Sequence, residues 1–141
     1  MLNNIGTKFI GIDYGTKKTG ISISDPNKII SFPLETIKTK NLVPYLKELI
    51  VKEKIEKIII GKPLKLNNEV HEIEEEIISL IKSIKSINLE IKIERIDERY
   101  TSKLSKIFLK QSKQKIRRNK FIIDKISASL ILESYLTKIN K

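Results

Sequence analysis

In the first third of the chain, apolar residues alternate with polar or small ones at a period of two, the mark of half-buried strands. Phe9-Ile10-Gly11-Ile12-Asp13 predicts one strand and residues 19–24 a second, with Ile21 and Ile23 on one face. Gly15-Thr16-Lys17-Lys18 between them predicts a hairpin turn, and residues 29–37 can add a third strand to the same meander. Leu42, Tyr45, Leu46, Leu49 and Ile50 then recur at helical spacing, with Pro44 in the first turn, where its missing N–H has no partner to lose. Ile58-Ile59-Ile60 is unbroken, as in a strand buried on both faces, and Pro63 closes it. Val70, Ile73, Ile77, Ile81 and Ile84 mark a second amphipathic helix, and Ile91, Ile93 and Ile96 another strand. Residues 101–109 predict a short helix capped by Thr101, and residues 124–137 a terminal one. The order βββαβαβαα is a mixed α/β layout.

In such a layout the strand ending at Asp13 is central, and functional groups collect at the carboxyl ends of its parallel neighbours. Asp13 stands at that edge, and so does the pair Asp97-Glu98 after Ile96. Asp124 opens the predicted last helix, on the stripe of Ala128, Ile131 and Tyr135, and small Ser127 and Ala128 would let it approach the sheet. A buried polar group without a partner costs roughly 2–7 kcal/mol, and a charge costs more. Acids brought together at one spot also raise one another's pKa unless a cation separates them. The convergence points to a metal site. Cysteine is absent and the one histidine, His71, cannot build a nitrogen-rich site, so the ligands must be oxygen. His71 reads as a surface helix residue.

The 141 residues suit a single domain spanning 1–141. No apolar run nears the ~20 residues of a membrane span, and the first eight residues form no secretory apolar region, so a cytoplasmic location is expected. The formal net charge of +11 favours a polyanionic partner. Arginine occurs only at 95, 99, 117 and 118, and a lysine-, isoleucine- and asparagine-rich composition also follows from AT-rich coding, so the placement of charge matters more than its sum. One concentration stands out: residues 110–120 carry six cations and no acid, and they lead directly into Asp124. Without aromatic residues to stack bases, that run suits a grip on nucleic-acid backbone through Lys113, Lys115, Arg117 and Arg118. Lys17, Lys18 and Arg99 are further candidates for holding phosphates.

Four strings, in order, carry a resemblance: residues 9–26 (FIGIDYGTKKTGISISDP), Gly61-Lys62-Pro63-Leu64, Asp97-Glu98-Arg99-Tyr100-Thr101-Ser102 and Ile123-Asp124-Lys125-Ile126-Ser127-Ala128. Together they resemble the YqgF/RuvX family over about residues 8–137. That family comprises small bacterial proteins regarded as pre-16S rRNA nucleases and earlier as Holliday junction resolvases. The resemblance implies a ribonuclease-H-like mixed sheet, an antiparallel three-strand meander plus parallel strands, flanked by helices. It also implies that Asp13, Glu98 and Asp124 are catalytic, metal-binding carboxylates, with Asp97 in reserve if the register shifts by one. The cofactor implied is Mg²⁺ or Mn²⁺ in a two-metal hydrolysis of phosphodiesters, in which Asp13 bridges the two ions.

Three departures from the family pattern spare the carboxylates. Lys62 stands where the family usually has Leu, Lys65-Leu66-Asn67-Asn68 replaces a glycine-containing turn, and Tyr100 and Ser102 replace Leu and Thr. The expected partner is pre-rRNA, free or in ribosomal particles, met by a monomer or a homodimer. Three other readings stand beside it. A Holliday junction resolvase would use the same acids on DNA. A non-catalytic RNA-binding assembly factor would retain the fold alone. Gly11-Ile12-Asp13-Tyr14-Gly15-Thr16 is also similar to the first phosphate loop of actin- and Hsp70-like ATPases, but those proteins duplicate the fold, for which 141 residues leave no room.

Overall fold

The computed structural model describes residues 6–63, 68–97 and 120–140. Five strands form one mixed sheet in the order β3-β2-β1-β4-β5. β1 (Lys8–Asp13), β2 (Lys18–Ser24) and β3 (Ser31–Lys38) make the antiparallel meander. β4 (Ile55–Lys62) runs parallel to β1, and β5 (Lys92–Asp97) parallel to β4. A turn joins antiparallel neighbours, whereas parallel ones need a crossover. Helices α1 (Leu42–Lys52) and α2 (Asn68–Ile87) supply the crossovers, and α3 (Lys120–Ile139) ends the chain.

The predicted strand at Ile58-Ile59-Ile60 is buried on both faces. Ile58 and Ile60 join Ile10, Ile12 and Ile21 under α1 and α2, while Ile59 turns the other way, onto Phe9, Ile131, Leu132 and Tyr135 beneath α3. All three isoleucines are fully buried, each stabilising the fold by about 1.5–3 kcal/mol relative to exposure. Helix α1 buries Leu42, Leu46, Leu49 and Ile50 as its spacing predicts. On α2, Ile77 and Ile84 of the expected stripe are buried, but Leu80, outside it, is buried more deeply than the half-buried Ile73 and Ile81.

Helix α3 lies closer to its strands than ordinary side chains would allow. A β-carbon on Gly11 would stand 2.7 Å from Leu132 Cβ and 2.8 Å from the Ala128 carbonyl oxygen. Ser22 Oγ donates to that same carbonyl at 2.7 Å, and Ser31 Oγ donates to the Ser129 carbonyl at 2.6 Å. Small residues on β1 and β2 therefore seat the helix, and hydroxyls on β2 and β3 fix its depth.

Two of the differences from the expected boundaries have a visible cause or consequence. The third strand starts at Ser31 rather than 29, because the Asp25 carboxylate accepts the backbone N–H groups of Asn27, Ile29 and Ile30 and folds that segment into a loop. Ile29 and Ile30 are left exposed. Helix α3 begins at Lys120, so Asp124 lies in its second turn and not at its start. The expected helix over 101–109 falls outside the described residues. Among the described residues, no helix is long and apolar enough to cross a membrane.

Candidate active site at the carboxyl edge of the sheet

Asp13 is the last residue of the central strand and is half-buried. Gly11 and Asp13 are two apart and so share a face, and Gly11 lies against α3. Asp13 therefore belongs to the α3 side of the sheet. Its partner across β2 is Gly20, where a β-carbon would come within 2.0 Å of the Asp124 carbonyl oxygen. The backbone of Asp124 thus rests on the residue that pairs with Asp13. No described glycine has a positive φ, so Gly20 is needed for space rather than for conformation.

The parallel strands bring Lys62 and Asp97 to the same edge, where they are register partners. Their face is the other one. Arg95 pairs with Ile60, which packs under α2, and reaches Glu74 on that helix. Asp97, two residues beyond Arg95, shares the α2 side, whereas Asp13 belongs to the α3 side. Strand alternation therefore separates Asp97 from the face that carries Asp13. Glu98 lies outside the described residues, as do Arg99, Lys113, Lys115, Arg117 and Arg118. Among the described residues no three acidic or histidine side chains gather as a metal-binding group, and of the expected three acids Asp13 and Asp124 are described.

Two interactions that sequence reasoning missed brace this edge. Arg95 donates from Nε and Nη2 to the carbonyls of Ile60 and Gly61 at 3.2 and 3.0 Å. Its guanidinium also forks onto Glu74, at 3.1 and 2.6 Å. The hydrogen bond from Arg95 holds the Glu74 carboxyl below the usual glutamate range, against its partial burial. Just past the end of β1, Tyr14 Oη donates to Glu76 at 2.7 Å, and burial followed by that carboxylate pushes its phenol well above the ordinary value. Tyr14 stays a protonated donor, tying the residue after Asp13 to α2. An arginine set among alternating isoleucines was a legible signal for the first brace; nothing local marked the second.

Lys17 lies in the turn beyond Asp13 and Lys18 opens β2, and Thr16, Lys17, Lys18, Lys38 and Lys40 line one cleft.

A family model described as "RuvX: Holliday junction resolvase" matches residues 7–138. The chain belongs to the RuvX family. Among RuvX relatives, a protein of Bacteroides fragilis named "Putative pre-16S rRNA nuclease" is 39% identical over 132 residues, covering 92% of this chain and 96% of the relative. A protein of the same name from Flavobacterium psychrophilum is 38% identical over 133 residues, with 93% and 97% covered. Among solved structures, Thermus thermophilus RuvC superposes with a TM-score of 0.62 at 9% identity, covering 95% of this chain and 97% of that one. T. thermophilus RuvC in complex with Holliday junction substrate gives 0.59 at 12% identity, over 94% and 96%. At such identity the likeness concerns the fold. This RuvX chain has the ribonuclease-H-like mixed sheet that its motifs implied.

Proposed function

We propose that this chain is a cytoplasmic, metal-dependent nuclease that hydrolyses phosphodiester bonds and processes the 5' end of pre-16S rRNA. The observation that carries the reading is the seating of Asp124 on Gly20, directly across from Asp13, at the carboxyl edge of the central strand. Family membership and the name of the relatives support the substrate.

In this reading Asp13, Glu98 and Asp124 hold Mg²⁺ or Mn²⁺; an all-oxygen donor set with no cysteine suits those hard cations. Alternation along β5 turns Asp97 to the face opposite Asp13, which favours the motif's own choice of Glu98 as the second acid. Such ions, when bound, supply an activated water and charge neutralisation for in-line phosphodiester attack. The chain's own part is positioning. Asp13 is carried by a strand paired on both sides, Asp124 by a helix locked through Ser22 and Ser31, and the Arg95 and Tyr14 braces keep the neighbouring strand ends from shifting. Lys17, Lys18, Arg99, Lys113, Lys115, Arg117 and Arg118 hold substrate phosphates.

A second reading, a Holliday junction resolvase, is favoured by the description of the family model. Purified protein should shorten a precursor rRNA carrying its 5' flank and leave a four-way DNA junction largely uncut at equal concentration. Asp13→Asn should abolish that cleavage while the protein melts at the same temperature or higher, because one acid fewer relieves carboxylate repulsion. Symmetric junction cleavage matching the rate on RNA would make the resolvase the better reading. Full activity in Asp13→Asn would remove Asp13 from the chemistry.

A further inference from the structure

Beyond the Asp13 edge, the turn between β1 and β2 meets the turn between β3 and α1. They enclose a cleft of about 340 Å³ lined by Thr16, Lys17, Lys18, Lys38 and Lys40. Its shape is held without the lysine side chains. The Thr39 N–H donates to the Lys17 carbonyl at 2.9 Å, and Thr39 Oγ1 donates to the Gly15 carbonyl at 2.6 Å. The same hydroxyl lies 2.8 Å from Oγ1 of Thr19, which is fully buried. The two turns are therefore one braced unit presenting four ammonium groups.

Among the described residues lining the cleft, every charged group is a cation. Lys18 and Lys38 are direct register partners across β2 and β3, which puts their β-carbons about 4.5–5.5 Å apart, a like-charge pairing that destabilises a sheet by itself. Placement also matters: Lys18 is two residues before Gly20 on β2, about 7 Å along the strand, and shares Gly20's face, the one that carries Asp13 and α3. The ligand therefore lies on the same side of the sheet as the proposed scissile site.

We propose that this cleft binds backbone phosphates of the nucleic-acid strand that lies across the Asp13 edge, with Lys38 and Lys40 as its contacts on the β3 side. The inference rests on the nuclease reading for the strand's position, and it assigns two lysines outside the family motifs. Lysine ammonium groups hold phosphates as point charges, and no aromatic side chain is among the described residues that line the cleft, which suits a grip on the backbone without reading bases.

The test is fluorescence anisotropy of a short single-stranded RNA with the full chain, in chelator, across a salt series. Both lysines are exposed, so Lys38→Gln/Lys40→Gln should melt as the parent does. The slope of log affinity against log salt should flatten by about 1.4, for two lost contacts on a single strand. A charge-matched control, Lys47→Gln/Lys82→Gln on α1 and α2, should leave the slope near the parent value. An unchanged slope in the first pair, or equal flattening in the control, overturns the proposal. So does calorimetric binding of inorganic phosphate that the first pair loses while keeping its RNA slope, since the cleft would then serve a small anion. Because binding is read in chelator, the result stands whether or not the chain cuts; cleavage of the same RNA with Mg²⁺ is the separate readout on the nuclease reading.

Discussion

Replacing Gly20 with alanine tests the seating of α3 and its link to the site in one experiment. The added β-carbon would stand 2.0 Å from the Asp124 carbonyl oxygen, 2.3 Å from its carbonyl carbon and 2.9 Å from the Lys125 nitrogen. All three are backbone atoms, so no side chain can rotate away. Ordinary contact begins at 3.4 Å, and the helix must therefore retreat from β2 by about 1.4 Å at Asp124. Overpacking of this kind costs about 1–3 kcal/mol. Stiffening of the unfolded chain by alanine returns about 0.4–1 kcal/mol, and because the backbone at Gly20 lies outside the positive-φ region no conformational strain adds to the cost. Steric cost wins, with a net loss of about 1–2 kcal/mol and a melting temperature lower by about 3–7 °C for a chain of this size. The larger effect should be on function, since a displacement of about 1 Å at a reacting group can cost about a hundredfold in rate. Thermal melts with parallel cleavage kinetics read both. A Gly20→Ala protein that melts as the parent does and cuts at the parental rate would mean that α3 does not rest on β2 at this point, and the proposed pairing of Asp13 with Asp124 would go with it.

Cleavage should require Mg²⁺ or Mn²⁺ and be poorly supported by Ca²⁺, whose larger, looser coordination misplaces the attacking water; full activity in excess chelator would end the metal assignment. Arg95→Ala should lower stability by about 1.5–3 kcal/mol, the range for charge-assisted hydrogen bonds, and toward its lower end because Arg95 and Glu74 keep about a quarter of their surface exposed, as denaturant titration would show. Because Glu74 is held below the ordinary glutamate value, its contribution is present above that value and is lost as pH falls through the folded one. Melting followed on the acid side should accordingly fall less steeply in Arg95→Ala than in the parent, and parallel curves would show that the pair does not couple to protons.

Much of this protein is legible in one dimension because its periodicities are local. Alternation in β1 and β2, the unbroken Ile58-Ile59-Ile60 and the three- and four-residue spacing of α1 and α2 each report which face of an element is buried, and burial of isoleucine dominates the energetics. Asp13 was readable for the same reason: a carboxylate at the end of an apolar strand marks a sheet edge wherever it occurs. Faces across elements are another matter. That Asp97 lies on the α2 side, away from Asp13, depends on the parallel register of β4 and β5, which no single strand encodes. The start of α3 at Lys120 was missed because aspartate is a strong capping signal, whereas Asp124 owes its place to a non-local contact with Gly20, more than a hundred residues earlier. Likewise the cluster of Lys17, Lys18, Lys38 and Lys40 exists only where two turns distant in sequence are braced together by Thr39. Hydrophobic pattern determines what each element buries; strand register and helix seating decide which polar groups then face one another.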